Sequence, residues 1–129
     1  MRYPIVIETG TATTAWGVVV PDLPGCFSAG DSLDEAVAAA EEAVAAWIDA
    51  ALDAKMPIPP PTPLEELREV PAFAGWTFAV VALDPALLDD TAERVNITLP
   101  RRVLRRLDAQ AKASGMTRSG WIAQLSLGR

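Results

Sequence analysis

At 129 residues, half of them apolar, the chain can build one domain of about 90 residues plus a small appendage, and no low-complexity tract argues for wholesale disorder. Histidine is absent and Cys26 is the single cysteine, which excludes imidazole-based hydrolysis, histidine-ligated metals and an intramolecular disulfide. The net charge of -6 conceals a division: residues 1–93 carry 3 basic and 16 acidic side chains (net -13), whereas residues 94–129 carry 8 basic and 1 acidic (net +7). Such a tail can approach a polyanion that would repel the body.

Along the body, Tyr3 to Glu8 is β-branched and reads as a first strand. A polar turn from Thr9 to Thr14 leads to a returning strand, Ala15 to Val20. Pro21-Asp22-Leu23-Pro24-Gly25 breaks the ladder, and Cys26 to Ala29 forms a third short strand. Ser32 and Glu35 have capping-box spacing. Leu33, Ala36, Val37, Ala40, Val44, Trp47, Ile48, Ala51 and Leu52 then recur at helical spacing and predict a long amphipathic helix over one sheet face. Its five acidic residues argue against a membrane span, and with no signal peptide before Pro4 the chain is expected to be cytoplasmic. Five prolines between Pro57 and Pro63 form a stiff connector, and Thr62 is expected to cap a short helix after Pro63. The near-continuous apolarity of Gly75 to Leu83 predicts a fourth strand, buried on both faces or used in a dimer contact. The body, residues 1–83, is thus β-β-β-α-β within an α+β fold class, with 84–93 as a linker.

The tail, residues 94–129, opens on strict alternation. Val95, Ile97 and Leu99 point one way; Arg94, Asn96 and Thr98 point the other. Pro100 starts a helix with Val103, Leu104, Leu107 and Ala111 as its apolar stripe, and Gly115 ends it. Thr117 caps a second helix that buries Trp121, Ile122 and Leu125. A unit this small cannot form a core alone, so two copies are expected to pair their strands around a two-fold axis. Val95, Ile97, Leu99, Leu107, Trp121 and Ile122 would then form the dimer core. Arg94, Asn96 and Thr98 would lie on an exposed ribbon of the width that enters a DNA major groove and reads base edges. Thr117, Arg118 and Ser119, at a helix start, would hold a backbone phosphate.

Arg94-Val95-Asn96-Ile97-Thr98-Leu99-Pro100 together with Gly115-Met116-Thr117-Arg118-Ser119 resembles a ribbon-helix-helix DNA-binding domain. The body is similar to the HicB antitoxin family, through Pro21-Asp22-Leu23-Pro24-Gly25-Cys26, Gly30-Asp31-Ser32-Leu33-Asp34-Glu35-Ala36 and Ile58-Pro59. The two resemblances cover most of residues 3–127. They imply a type II antitoxin whose body has a degraded RNase H-like fold and binds HicA, a small RNA-cleaving toxin, and whose tail represses its own operon at palindromic operator DNA. A homodimer through the C-terminal domain is expected, with strand four as a route to a tetramer. The toxin-contacting residues are not assigned.

Enzymatic activity, cofactors and metals are not expected. The carboxylates Glu8, Asp22, Asp31 and Asp34 could serve two-metal chemistry. Each has a structural role instead: Asp22 in a turn, Asp31 and Asp34 at a helix start, Glu8 at the end of an edge strand. Cys26 reads as a buried small residue, since no basic neighbour would lower its pKa. A second reading is a stand-alone ribbon-helix-helix regulator whose body senses a small molecule.

Overall fold

The β-branched and alternating segments near the start form three strands, β1 (Arg2–Glu8), β2 (Trp16–Val19) and β3 (Phe27–Gly30). A fourth, β4 (Thr77–Ala82), joins them in an antiparallel sheet of order β3-β2-β1-β4. The computed structural model describes residues 1–128. The chain divides into two units, one running to Asp90 and one starting at Thr91.

Because β4 pairs with the free side of β1, β1 is interior and Glu8 does not end an edge strand as expected. Pro4 is tolerated there for a local reason. The Leu83 amide donates to the Met1 carbonyl at 2.8 Å, so by strand alternation the odd-numbered residues of β1 bond to β4. The Pro4 nitrogen therefore points to the β2 side, where the β1–β2 register runs only from Val6 to Glu8.

Helix α1 (Leu33–Asp53) is capped as its sequence predicts: the Ser32 hydroxyl accepts from the Glu35 amide at 3.1 Å, and the Glu35 carboxylate accepts from the Asp31 amide at 3.0 Å. Ala36, Ala40, Val44 and Ile48 pack on Tyr3, Ile5, Ile7, Val18, Val20, Val81 and Leu83 to make the core. Burying each large side chain there contributes about 1.5–3 kcal/mol, so the α1–sheet contact dominates the stability of this unit. Gly30 permits the close approach, because a Cβ there would lie 2.5 Å from the Ala36 amide nitrogen. The helix ends with Lys55 at φ 56°; the Met56 amide donates to Ala51 and the Lys55 amide to Leu52, at 2.9 and 3.1 Å.

The proline connector is tied back at two points. The Tyr3 hydroxyl donates to the Pro59 carbonyl at 2.6 Å, and Asp22 accepts from both the amide and the hydroxyl of Thr62. Thr62 therefore does not cap the helix that follows. Pro63 holds the N-cap position of α2 (Leu64–Leu67) without a side-chain cap bond. Two donors on one carboxylate outweigh a single hydroxyl–amide bond.

The expectation for strand four also needs correcting. β4 is an edge strand, buried at Val81 and exposed at Thr77, Val80 and Ala82, so its apolar run is not covered on both faces. Pro85–Leu88 forms a 3-10 turn with Leu87 against the core. Part of the segment expected as linker thus belongs to the body, which extends to Asp90.

In the second unit, α3 (Arg101–Ala113) and α4 (Arg118–Ser126) are joined by a turn around Gly115, which has φ 67°. Within one chain Arg94 to Leu99 belongs to no ladder. The physical reason is that a strand is defined by its partner, and this unit offers none from its own residues. Among the described residues no helix is long and apolar enough to cross a membrane.

Candidate nucleic-acid interface

The basic unit exposes what a self-sufficient domain would hide. Val95, Ile97 and Leu99 are 71%, 59% and 36% exposed, and Val103, Met116, Leu125 and Leu127 are exposed as well; Ala111 is the one buried residue among those described here. Two concavities flank the extended segment. One, of about 770 Å³, runs along Arg94, Val95, Ile97, Ser119, Ile122 and Ala123. The other, of about 320 Å³, is lined by Ile97, Thr98, Leu99, Leu104 and Arg118. Ile97 borders both. Leu107, Trp121 and Ile122, the other expected core residues, are half-buried.

The polar residues Arg94, Asn96 and Thr98 are exposed. At the start of α4 the Thr117 hydroxyl accepts from the Gly120 amide at 3.0 Å, and the Thr117 carbonyl accepts from Trp121 at 2.9 Å. The amides of Arg118 and Ser119 precede the first in-helix acceptor and point out of the helix end, the arrangement that binds an anion. Thr117 is thus engaged as a cap through its side chain. The two residues after it carry the outward donors.

Arg118 is not a free cation. Its Nε and Nη2 donate to the two oxygens of Asp108 at 2.8 and 2.9 Å. The hydrogen bond from Arg118, with its charge, holds the Asp108 carboxyl below the usual carboxylate range. Asp108 is the single acidic residue of the tail, so this pair positions the guanidinium while cancelling one of the tail's charges. A guanidinium has five N–H donors, and the pairing leaves about three for a phosphate. The pair escaped the sequence reading. The signal was present in the uniqueness of Asp108, but nothing local joins residues ten apart across a turn. Trp121 Nε1 donates to Gln110 Oε1 at 3.3 Å and ties α4 to α3.

The carboxylates of the body do not converge. Asp22 is occupied by Thr62, and Asp31 and Asp34 flank the capped start of α1. Among the described residues no group of three or more His, Cys, Asp or Glu side chains could hold a metal ion. Burial raises the Cys26 thiol pKa, leaving it a poor nucleophile. A shallow apolar concavity of about 300 Å³ lies between Pro24, Trp47, Ala50, Ala51 and Met56, beside the Trp47 indole, which donates to the Pro24 carbonyl at 3.0 Å.

An acidic four-stranded body with one long helix is thus followed by a basic helical pair that leaves apolar residues exposed. Residues 3–126 match the family model described as a HicB-like antitoxin of bacterial toxin–antitoxin systems. The chain belongs to that family. A 14.9 kDa protein from the rep–hol intergenic region of Haemophilus phage HP1 is 37% identical over 100% of this chain and 97% of its own length. The crystal structure of the Burkholderia pseudomallei antitoxin HicB superposes with a TM-score of 0.64 at 33% identity, covering 98% of this chain and 96% of that one. A chain in the HicA3 and HicB3 toxin–antitoxin complex superposes with a TM-score of 0.56 at 32% identity, covering 66% of this chain and 100% of that one.

Proposed function

We propose that this protein is an antitoxin that neutralises a HicA-like RNA-cleaving toxin through its body, and represses its own operon through its tail. The tail acts as a ribbon-helix-helix homodimer on palindromic operator DNA. The observation that carries this reading is the exposed row Val95, Ile97 and Leu99 on a segment of net charge +7. It is a hydrophobic face that one chain cannot cover, next to cations that suit phosphates. Pairing two such segments antiparallel fills the concavities on either side of Ile97 and turns Arg94, Asn96 and Thr98 outward as a reading ribbon. The acidic body supports the toxin half. With a net charge of -13 over residues 1–93, it attracts a cationic RNA-binding partner and competes for the surface that RNA would use. The family membership and the likeness to a chain of a HicA3–HicB3 complex support the same half. We also read the sheet and α1 as a degraded RNase H-like fold without catalytic function, in a cytoplasmic protein.

The shallow concavity beside Trp47 favours one competing reading, a stand-alone regulator with a small-molecule effector, because it is apolar and lies near the lower end of ligand-pocket sizes. The two separate in one experiment. The full chain is co-expressed with the neighbouring open reading frame, purified, and titrated onto its upstream DNA at about 150 mM salt. Antitoxin function predicts rescue of growth, co-purification and sequence-specific binding. Arg94→Ala or Asn96→Ala should relax base preference, and Arg118→Ala should weaken all sequences alike. Equal affinity for operator and random DNA would refute the repressor half, and lack of co-purification the toxin half.

A further inference from the structure

We infer that Arg101, Arg102, Arg105 and Arg106 of α3 form a second DNA contact, separate from the ribbon and from the start of α4, which holds the duplex backbone on either side of the operator. The inference rests on the reading of the tail as a DNA-binding homodimer. It gives that dimer a sequence-independent hold beyond the base pairs that the ribbon reads.

These four cations stand where a helix least tolerates them. The N-terminal end of a helix is its positive end, which favours acidic side chains and disfavours basic ones. The body follows that rule: Asp34 and Glu35 lie in the first turn of α1, and Glu65 and Glu66 in that of α2. α3 has no acid in its first turn, and Lys112 alone sits at the end that favours a cation. Its arginines fill the first two turns instead. Arg101 and Arg105, and Arg102 and Arg106, are four residues apart, so like charges repel along both rows. Nothing in the unit relieves this. All four are exposed, and among the described residues none makes an ion pair. Asp108 is three residues from Arg105 on the same helix, yet it gives both oxygens to Arg118. Stability alone would select against this placement, whereas a bound anion removes the repulsion.

Position selects the anion. By helical spacing the arginines lie on the side of α3 away from Leu104, Leu107 and Ala111, so a second copy that covers the apolar side leaves them open. They occupy about 7.5 Å of helix axis at the end next to the ribbon, with only Pro100 between. Pro100, at the N-cap, makes no side-chain bond, and the first in-helix bond runs from the Leu104 amide to its carbonyl. The amides of Arg101, Arg102 and Val103 therefore also point out of this end and add donors for an anion. A ribbon lying in the major groove ends where a backbone strand borders that groove. Cations that begin two residues past the ribbon meet the phosphates there, contacts that position a protein without reading sequence. A duplex, with one charge per about 1.7 Å of its axis, suits two rows of guanidinium groups better than a single strand does.

The test compares the full chain with a variant carrying Arg101→Gln, Arg102→Gln, Arg105→Gln and Arg106→Gln; glutamine has much the same helix propensity as arginine, so α3 is kept. Both are titrated onto a random-sequence duplex of about 30 base pairs, from about 50 to about 200 mM salt. A backbone strand follows at least one row in each chain, which engages two arginines per chain and four per dimer. The slope of log affinity against log salt should therefore be shallower in the variant by about 3.6 or more, at about 0.9 per phosphate. On the protein's upstream DNA the variant's hydroxyl-radical footprint should shorten at both ends and keep its centre. Its melting temperature should not fall, because two like-charge pairs are gone. A parent that does not bind the random duplex, an unchanged slope, or a footprint of unchanged length overturns the inference. So does a lower melting temperature, which would make the arginines structural, or a larger loss on single-stranded RNA than on the duplex, which would give the patch to RNA. Should neither protein prefer the upstream DNA, the repressor reading fails, and the slope on the random duplex still decides what the four arginines bind.

Discussion

Replacing Ile97 with alanine isolates the claim that the tail is half of a shared core. Fully burying an isoleucine contributes about 1.5–3 kcal/mol. In one chain Ile97 remains 59% exposed, so about 1–2 kcal/mol is left to be gained when a second chain covers it. Two copies double that to about 2–4 kcal/mol per dimer. The dimer dissociation constant should therefore weaken by roughly 30- to 700-fold, at about 1.4 kcal/mol per factor of ten. Sedimentation equilibrium of the full chain measures it directly. Operator binding should then require correspondingly more protein and become steeper in protein concentration. Asn96→Ala, on the outward face, should leave the dimer constant unchanged while altering operator preference. An Ile97→Ala dimer within threefold of its parent, or an Asn96→Ala effect as large, would refute the shared core.

Four further outcomes test other joints of the structure. Gly115 has φ 67° with nothing within 4 Å of an added Cβ, so Gly115→Ala should cost the tail about 1 kcal/mol through backbone strain alone. The reverse change at the end of α1, Lys55→Gly at φ 56°, should stabilise the body by about 0.5 kcal/mol, read as a higher melting temperature. Asp108→Asn releases Arg118 and takes the tail from +7 to +8; operator affinity at low salt should rise, and the salt dependence should steepen by about one counterion. Tyr3→Phe removes the bond to Pro59 and should destabilise the body by about 1 kcal/mol. Burial, with the Asp22 charge, raises the Tyr3 phenol pKa. Its contribution is therefore fully present below the ordinary phenol range and is lost as pH rises through and beyond it. The difference in denaturation midpoint between the parent and Tyr3→Phe should shrink over that alkaline window, and a difference that grew would contradict the sign.

Local rules carried the reading of this chain wherever cause and effect lie within a few residues. The Ser32 cap, the α1 stripe ending in Ala51, the left-handed Gly115 and the Thr117 cap each depend on neighbours no more than a turn away. The charge division and the alternation from Arg94 to Leu99 likewise need no fold to be seen. What only the tertiary structure decided are pairings between distant residues: Asp22 with Thr62, Arg118 with Asp108, and β4 with β1. Thr62 had the right spacing to cap α2 but is drawn to a carboxylate forty residues earlier. The apolarity of β4 is the same whether a strand is central or terminal, because composition records which side chains avoid water and not which neighbour covers them. A strand's place in a sheet is defined by the strand beside it, and for β1 that partner, β4, comes from about seventy residues further along the chain, beyond the reach of any local rule.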